Sequence, residues 1–370
     1  MPFPPVPTAA RFGLFCAVLG LAADSSSAPP ERDPVEWPFA STSPWNTPLG
    51  SGAVIDPADS PCSRTLTDEK LAADINAAQW SHPIFVAAPA DPEVKVIVSG
   101  EVVARLRVPK HAAPALPKSE DSDAHLHIID PEHRYVHELW HASRKKPDVI
   151  VAEGYSKNDL HGSGVGEGGE RAYGGSAIGG LIRRRELSMG IRHALALALP
   201  RSHLKLGPVW PATKQDDGAE TTYRGAVPMG QLVTLAPKTN LSQLGLSPEG
   251  RAVAAALRDY GAYVVDASSD LTLYAEPSAE PDLVMLRQDL PKLRALLRCV
   301  QNASKEAIGG PGTRLAPLAP ALRPPLSPAA ALAPVGKSEQ AAKPTKAATA
   351  PKGTAPRSAP ADPARGPAAR

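Results

Sequence analysis

Short runs that alternate apolar with polar or small side chains, each closed by a turn signal, constrain the fold of this chain more than any other feature. "EVKVIVSGEVVARLRV" (93–108) is two such runs joined by Ser99-Gly100, a dipeptide suited to a tight hairpin. "HLHIID" and "RYVHELWH" repeat the pattern around Asp130-Pro131, which fits the first two positions of a type I turn. "IRHALALALP" sets Ile191, Leu195, Leu197 and Leu199 on one face and small Ala on the other, and Pro200 stops it. "GQLVTLAP" and "GAYVVDAS" read as further strands. Helix signals are fewer. "SPEGRAVAAALRDYG" has Ser247 as cap, Pro248 at the first helical position and Gly261 as stop, and "DLPKLRALLRCVQNA" carries Leu293, Leu296, Leu297 and Val300. "TDEKLAADINAAQW" spaces Leu71, Ile75 and Ala78 helically behind Thr67, so a helix is expected there too. With no regular strand–helix–strand alternation, the expected class is mainly β, a sandwich or jelly-roll-like single domain with a few helices.

Composition sets the limits of that domain. Pro numbers 42 of 370 residues, and it concentrates at the carboxyl end. Residues 309–370 hold no aromatic side chain and little to bury, so they are expected to be a disordered Pro/Ala/Lys-rich tail, leaving 29–308 as the β-rich domain. At the amino end Arg11 precedes an apolar run from Phe12 to Ala23, too short to span a bilayer. Residues 1–28 therefore read as a signal peptide, with a buried helix as the competing reading and Cys16 in a poor context for lipidation. The expected location is secreted or in the cell envelope, without stable membrane insertion. Export would oxidise the two remaining cysteines, predicting a Cys62–Cys299 disulfide. The net charge of +2 reflects a basic tail offsetting a slightly acidic body and calls for no nucleic-acid partner. A monomer is expected.

Half of the ten histidines fall in "DAHLHIIDPEHRYVHELWHAS" (123–143). His125 and His127 point to one side of a strand. A hairpin loop of two or four residues brings Glu138 and Trp140 onto their face, giving a carboxylate and imidazoles beside an aromatic ring. A loop of three pairs His127 with His137 instead, the start of a zinc site using His125, His127 and His137. The "DPEH" turn favours the first arrangement and no metal.

Other candidates are scattered. The glycine-rich stretch 162–180 spells a dinucleotide fingerprint at Gly164, Gly166 and Gly169, but no helix opens there; it reads as a loop over a ligand or as a flexible connection. Lys157, Asp159, His161 and Arg171 flank it. His193 lies on a Leu-rich face, as core histidines do, beside the charged segment Arg183–Glu186. Trp210, Lys214, Asp216 and Asp217 form an aromatic-plus-acid cluster at a strand end. No nucleophile elbow of the G-x-S-x-G type occurs.

Taken in order, "WPFASTSPWNTPLGSGA", "SDAHLHIIDP" with "VHELWHA", "GLIRRRELSMGIRHALALALP", "WPAT", "VPMGQLVTL" and "ALRDYGAYVVD" resemble a family of secreted bacterial proteins with inferred envelope or polysaccharide-processing roles. The resemblance spans about Trp37 to Glu276 and supplies no reaction. It implies that Trp45, Asn46, Asp123, His125, Glu138 and His193 occupy signature blocks, and it does not extend to His127, His137 and His141.

The functional expectation is a secreted enzyme acting on a polysaccharide, a lyase or a glycoside hydrolase. His125 and Glu138 would be its acid/base pair, supported by His193 and Asp123. Trp45, Asn46, Trp140, Lys157, Arg183 and Trp210 would bind the sugar chain. A non-catalytic glycan- or envelope-binding protein and a zinc-dependent hydrolase are the alternatives.

Overall fold

The computed structural model describes residues 31–115, 123–166, 168–236 and 238–327. The expected signal peptide and the end of the tail, 328–370, lie outside the described residues. Among the described residues, sixteen strands form the body. They are β1 Ala73–Asn76, β2 Ile84–Val86, β3 Glu93–Val98, β4 Glu101–Arg107, β5 Leu126–Ile129, β6 Tyr135–Trp140, β7 Ser143–Lys146, β8 Val149–Ala152, β9 Gly154–Asp159 and β10 Leu195–Leu199. There follow β11 Leu204–Lys205, β12 Val227–Pro228, β13 Leu232–Leu235, β14 Ala262–Ala267, β15 Leu271–Tyr274 and β16 Leu297–Cys299. Five α-helices accompany them: α1 Pro61–Leu66, α2 Glu186–Met189, α3 Ala219–Thr222, α4 Pro248–Asp259 and α5 Val284–Arg294.

Three sheets of four or more strands stack around two apolar cores, and none closes into a barrel. The sheet β2-β5-β6-β9 and the sheet β4-β3-β8-β7 form a sandwich. Leu126, Ile128 and Leu139 of the first meet Val94, Val96, Leu106 and Ile150 of the second in one core. The opposite face of the first sheet turns Ile129 and Val136 into the larger core, which it shares with the six-stranded sheet β1-β15-β10-β14-β13-β16. Strands β5 and β6 are thus covered on both faces. That is why β5 is buried at all four positions although its sequence alternates histidine with Leu and Ile.

Local chemistry accounts for the elements that were readable. Ser99 and Gly100 both take positive φ (51° and 88°), the geometry of a hairpin turn that matches strand twist. Ser247 Oγ accepts from Gly250 N and Pro248 opens α4, as expected. The Cys62–Cys299 disulfide ties α1 to β16. Trp37, Phe39 and Trp45 of the proline-rich segment 34–48 are buried, so that coil wraps the core.

Three expectations are corrected. The helix expected over 67–80 does not form: α1, capped by Ser60, ends before it at Leu66, a turn follows in which Leu71 N donates to Asp68 O (3.0 Å), and β1 pairs in parallel with β15; Leu71 and Ile75 are buried, Ile75 in the strand. Sheet pairing overrides a helical spacing carried mostly by Ala. The late helix is α5, which ends at Arg294, so Leu297–Cys299 is an edge strand on β13. Residues 309–327, expected to belong to the disordered tail, run along the body. Leu315 N donates to Leu49 O (2.9 Å), Leu322 bridges Arg32, and Leu326 N donates to Glu132 O (2.8 Å).

Candidate functional site

The β5–β6 hairpin has a four-residue loop, because Ile129 pairs with Val136 and Asp130 N donates to Tyr135 O (3.0 Å). Asp130 and Pro131 open a turn closed by His133 N to Asp130 O (3.0 Å), and Asp130 Oδ1 accepts from Arg134 N (2.7 Å). This register sets His127 opposite Glu138 and leaves His137 on the other face. There His137 Nδ1 lies 2.9 Å from Tyr155 Oη.

A third imidazole enters from a distant part of the sequence. Strand β2 pairs in parallel with β5, Ile84 beside His127, so His82 falls beside His125. Ring centroids are 4.4 Å apart for His82–His125, 5.1 Å for His82–His127 and 5.7 Å for His125–His127. His82 Nδ1 stands 2.9 Å from His127 Nε2. All three side chains are buried. Burial, reinforced by the Arg171 guanidinium, pushes the His125 imidazole down to about 3, and His82 and His127 are driven down by burial as well. The cluster is neutral at pH 7. The Nδ1 atoms of His125 and His127 are buried without a hydrogen-bond partner.

Above His125 opens a groove of about 620 Å³ between the central and six-stranded sheets. Asp123, His125, Trp140, Glu170, Arg171 and Asp266 line it, with Glu153, Arg201, Lys214, Asp216 and Asp217 around them. Trp140 Nε1 donates to Asp123 Oδ1 (3.3 Å), and Asp123 Oδ2 is 3.9 Å from His125 Nε2. The Arg171 guanidinium lies 3.9 Å over the Tyr274 ring; its Nε donates to Ala177 O (3.1 Å), while Nη1 and Nη2 have no partner. Asp266 owes its place to an irregularity in β14. Leu197 pairs with Val264 but Ala198 with Asp266, so Val265 is an extra residue that re-aims the next side chain. Burial pushes the Asp266 carboxyl up to about 7, against the pull of Arg171 and with help from the Asp216 and Asp123 charges.

The groove gathers only some of the residues nominated from sequence. Asp123, His125 and Trp140 line it, as do Arg171, Lys214, Asp216 and Asp217. Glu138 shares the face of His127, yet its carboxylate serves the glycine-rich segment. Ser176 Oγ donates to Oε1, Ala177 N donates to both oxygens (3.0 Å each), and Ser156 Oγ donates to Oε2 (3.3 Å). Burial pushes this carboxyl up to about 7. No hydrogen bond joins Glu138 to His125 among the described residues, so the expected pair is separated.

The remaining nominees hold the body together. Trp45 is 1% exposed and packs edge-on against Tyr173 and Tyr263, unavailable for stacking on sugar. Asn46, equally buried, accepts from Trp37 Nε1 (2.7 Å) and donates to Pro38 O (2.8 Å). Arg183 is ion-paired with Glu276 (3.0 Å) and bonds Val35 O. His193 is buried between Glu186 (3.0 Å) and Ala194 O (2.8 Å). Lys157 caps the Tyr135 ring at 3.7 Å, across from His137 on the far face, and Trp210 packs edge-on against Tyr263. The zinc alternative of His125, His127 and His137 is overturned by the hairpin register, which turns His137 away. The glycine-rich segment is no slack connection: its Glu170 and Arg171 line the groove, and where it enters the body a Cβ on Gly180, at φ +70°, would fall 2.4 Å from Ala196 N.

Sequence reasoning missed His82, Glu170 and Asp266. "SHPIFV" carried only the signal of a short apolar strand, and "GAYVVDAS" only that of a strand with a polar end. In comparisons with known proteins, no family model, no curated protein and no solved structure matches the chain.

Proposed function

We propose that the protein is an enzyme that hydrolyses glycosidic bonds of a polysaccharide held in this groove, working outside the cytoplasm. One observation carries the reading: a single open groove unites an aromatic wall, Trp140, with Asp123 hydrogen-bonded to it and a second carboxyl, Asp266, held up at about 7. Glycoside hydrolysis needs such a pair, a carboxylic acid protonated near neutral pH to protonate the leaving oxygen and an ionised carboxylate as base or nucleophile. Asp266 fits the acid and Asp123 the second role. Trp140 Nε1 holds Asp123 by its hydrogen bond, and His125, lowered to about 3 by burial, stands 3.9 Å away as an uncharged neighbour. The disulfide is compatible with an oxidising compartment, and no helix among the described residues is long and apolar enough to cross a membrane.

Charge narrows the substrate. Besides the protonated Asp266, five carboxylates line the groove (Asp123, Glu153, Glu170, Asp216 and Asp217) against three cations (Arg171, Arg201 and Lys214), and Arg201 is already paired with Asp216 at 2.8 Å. A polyanion meets net repulsion there, so neutral or amino-sugar polymers fit best. A second reading is a lyase in which Lys214, which lines the groove and has no carboxylate partner among the described residues, neutralises a uronate carboxylate. A panel of neutral, amino-sugar and uronate polymers, scored for new reducing ends and for unsaturated products absorbing in the ultraviolet, separates the two. Reducing ends without absorbance on uncharged polymers support hydrolysis. Unsaturated products confined to uronates support the lyase. Binding with no cleavage of any polymer would make the protein a glycan-binding module.

A further inference from the structure

We propose that His82, His125 and His127 form a binding site for one divalent transition-metal ion of the zinc class, on the floor of the groove. The site stands on its own geometry and goes beyond the glycan reading. One ring nitrogen from each histidine lies within 4.8 Å of the other two. Three imidazoles on a tetrahedral zinc, with bonds of about 2.0–2.1 Å, set their nitrogens about 3.3 Å apart. The 2.9 Å between His82 Nδ1 and His127 Nε2 is already close to that edge. Movements of about an ångström, within side-chain torsion, bring the third nitrogen to it.

The hydrogen-bond inventory points the same way. Buried imidazole nitrogens normally find partners. One nitrogen here, His125 Nδ1, is buried without a partner, and with Nε2 turned toward Asp123 it is the nitrogen left to face an ion. A metal ion gives it one. Asp123 Oδ2 stands 3.9 Å from His125 Nε2, so a small approach would give the carboxylate–imidazole hydrogen bond that orients metal-bound histidines. Three protein ligands leave a fourth position, and His125 borders the groove, so that position opens toward it. The excess of carboxylates around the groove offsets the ion's charge and that of Arg171.

The test uses the wild-type chain stripped with a chelator and titrated with zinc chloride by calorimetry, and separately with cobalt chloride followed by visible absorption. One zinc per chain and the intense visible bands of four-coordinate cobalt are expected. His82→Gln and His127→Gln should weaken zinc binding by about 100-fold or more, while His137→Gln leaves it unchanged. No stoichiometric zinc binding, no cobalt bands from the wild-type chain, or binding insensitive to His82→Gln would overturn the site. The cobalt titration needs no variant, so a substitution that fails to fold does not obscure the answer. Zinc binding without glycan turnover leaves the site standing and the hydrolase reading fallen; turnover by a chain that cannot bind zinc does the reverse.

Discussion

Replacing Glu138 with Gln should make the protein more stable at neutral pH, although the sequence marks Glu138 as half of an acid/base pair. Its carboxyl is 0% exposed and burial holds it at about 7 instead of the usual 4.5. A carboxyl raised in the folded state contributes stability that is fully present below 4.5 and is lost as pH rises through about 7, because the unfolded chain ionises first. Each pH unit in that window is worth about 1.4 kcal/mol, so the wild-type chain surrenders about 3 kcal/mol between pH 4.5 and 7 through this group alone. Gln keeps the shape and has no proton to lose. Its carbonyl, in the place of Oε1, can accept from Ala177 N and Ser176 Oγ, and its amide, in the place of Oε2, can donate to the Ser156 hydroxyl. Urea unfolding of both chains at pH 4.5, 6 and 8 measures the difference. The variant should gain on the wild type by about 3 kcal/mol across that range and keep most of its activity. Parallel pH dependences, or a rate loss of orders of magnitude with stability unchanged, would refute the reasoning.

Further outcomes follow from the same structure. Converting both Cys62 and Cys299 to Ala opens a closed loop with a sequence separation of 237 residues and should cost up to about 5 kcal/mol, read by urea midpoint; free thiols in the oxidised protein would contradict the bond. Trp45→Ala should cost about 3–5 kcal/mol in thermal or urea unfolding, because it empties a core site between Tyr173 and Tyr263. Trp140→Ala should instead leave stability within about 1 kcal/mol and weaken glycan binding in a gel-retardation assay. The Glu186 charge holds the His193 imidazolium above its usual range despite burial. Its stabilising contribution is therefore complete below about 6.5 and disappears as pH rises through the folded value, a dependence that His193→Gln should abolish.

What the sequence exposes and what it hides divide along locality. The Ser99-Gly100 turn, the Ser247 cap and the Asp130-Pro131 turn are set by neighbours in the chain, and the last of these fixed which hairpin residues share a face with His127. His82 reaches the cluster only through the parallel pairing of β2 with β5, and Asp266 reaches the groove only through an irregular register in β14. Neither leaves a spacing signal. Trp45, Asn46 and Arg183 were misplaced for a related reason. Trp45 and Asn46 in a proline-rich coil, and Arg183 in a run of arginines, look available for ligand, and only the packing of the sheets reveals that they are buried and satisfied. Ala-rich segments such as 67–80 read as helix because Ala tolerates either state, and the partner strand decides.

The central claim, that Asp266 is the proton donor of a glycan-cleaving groove, is tested most directly by Asp266→Asn. The substitution keeps the volume and the hydrogen bond from Ala267 N (2.9 Å) but cannot give up a proton as a carboxylic acid does. On whichever polymer the wild type cleaves, measured as kcat/KM from pH 4 to 9, the variant should lose on the order of 10²–10⁴ in rate, lose the limb of the profile that falls near pH 7, and still bind the polymer. A variant that retains wild-type kcat/KM and the same falling limb would contradict the claim.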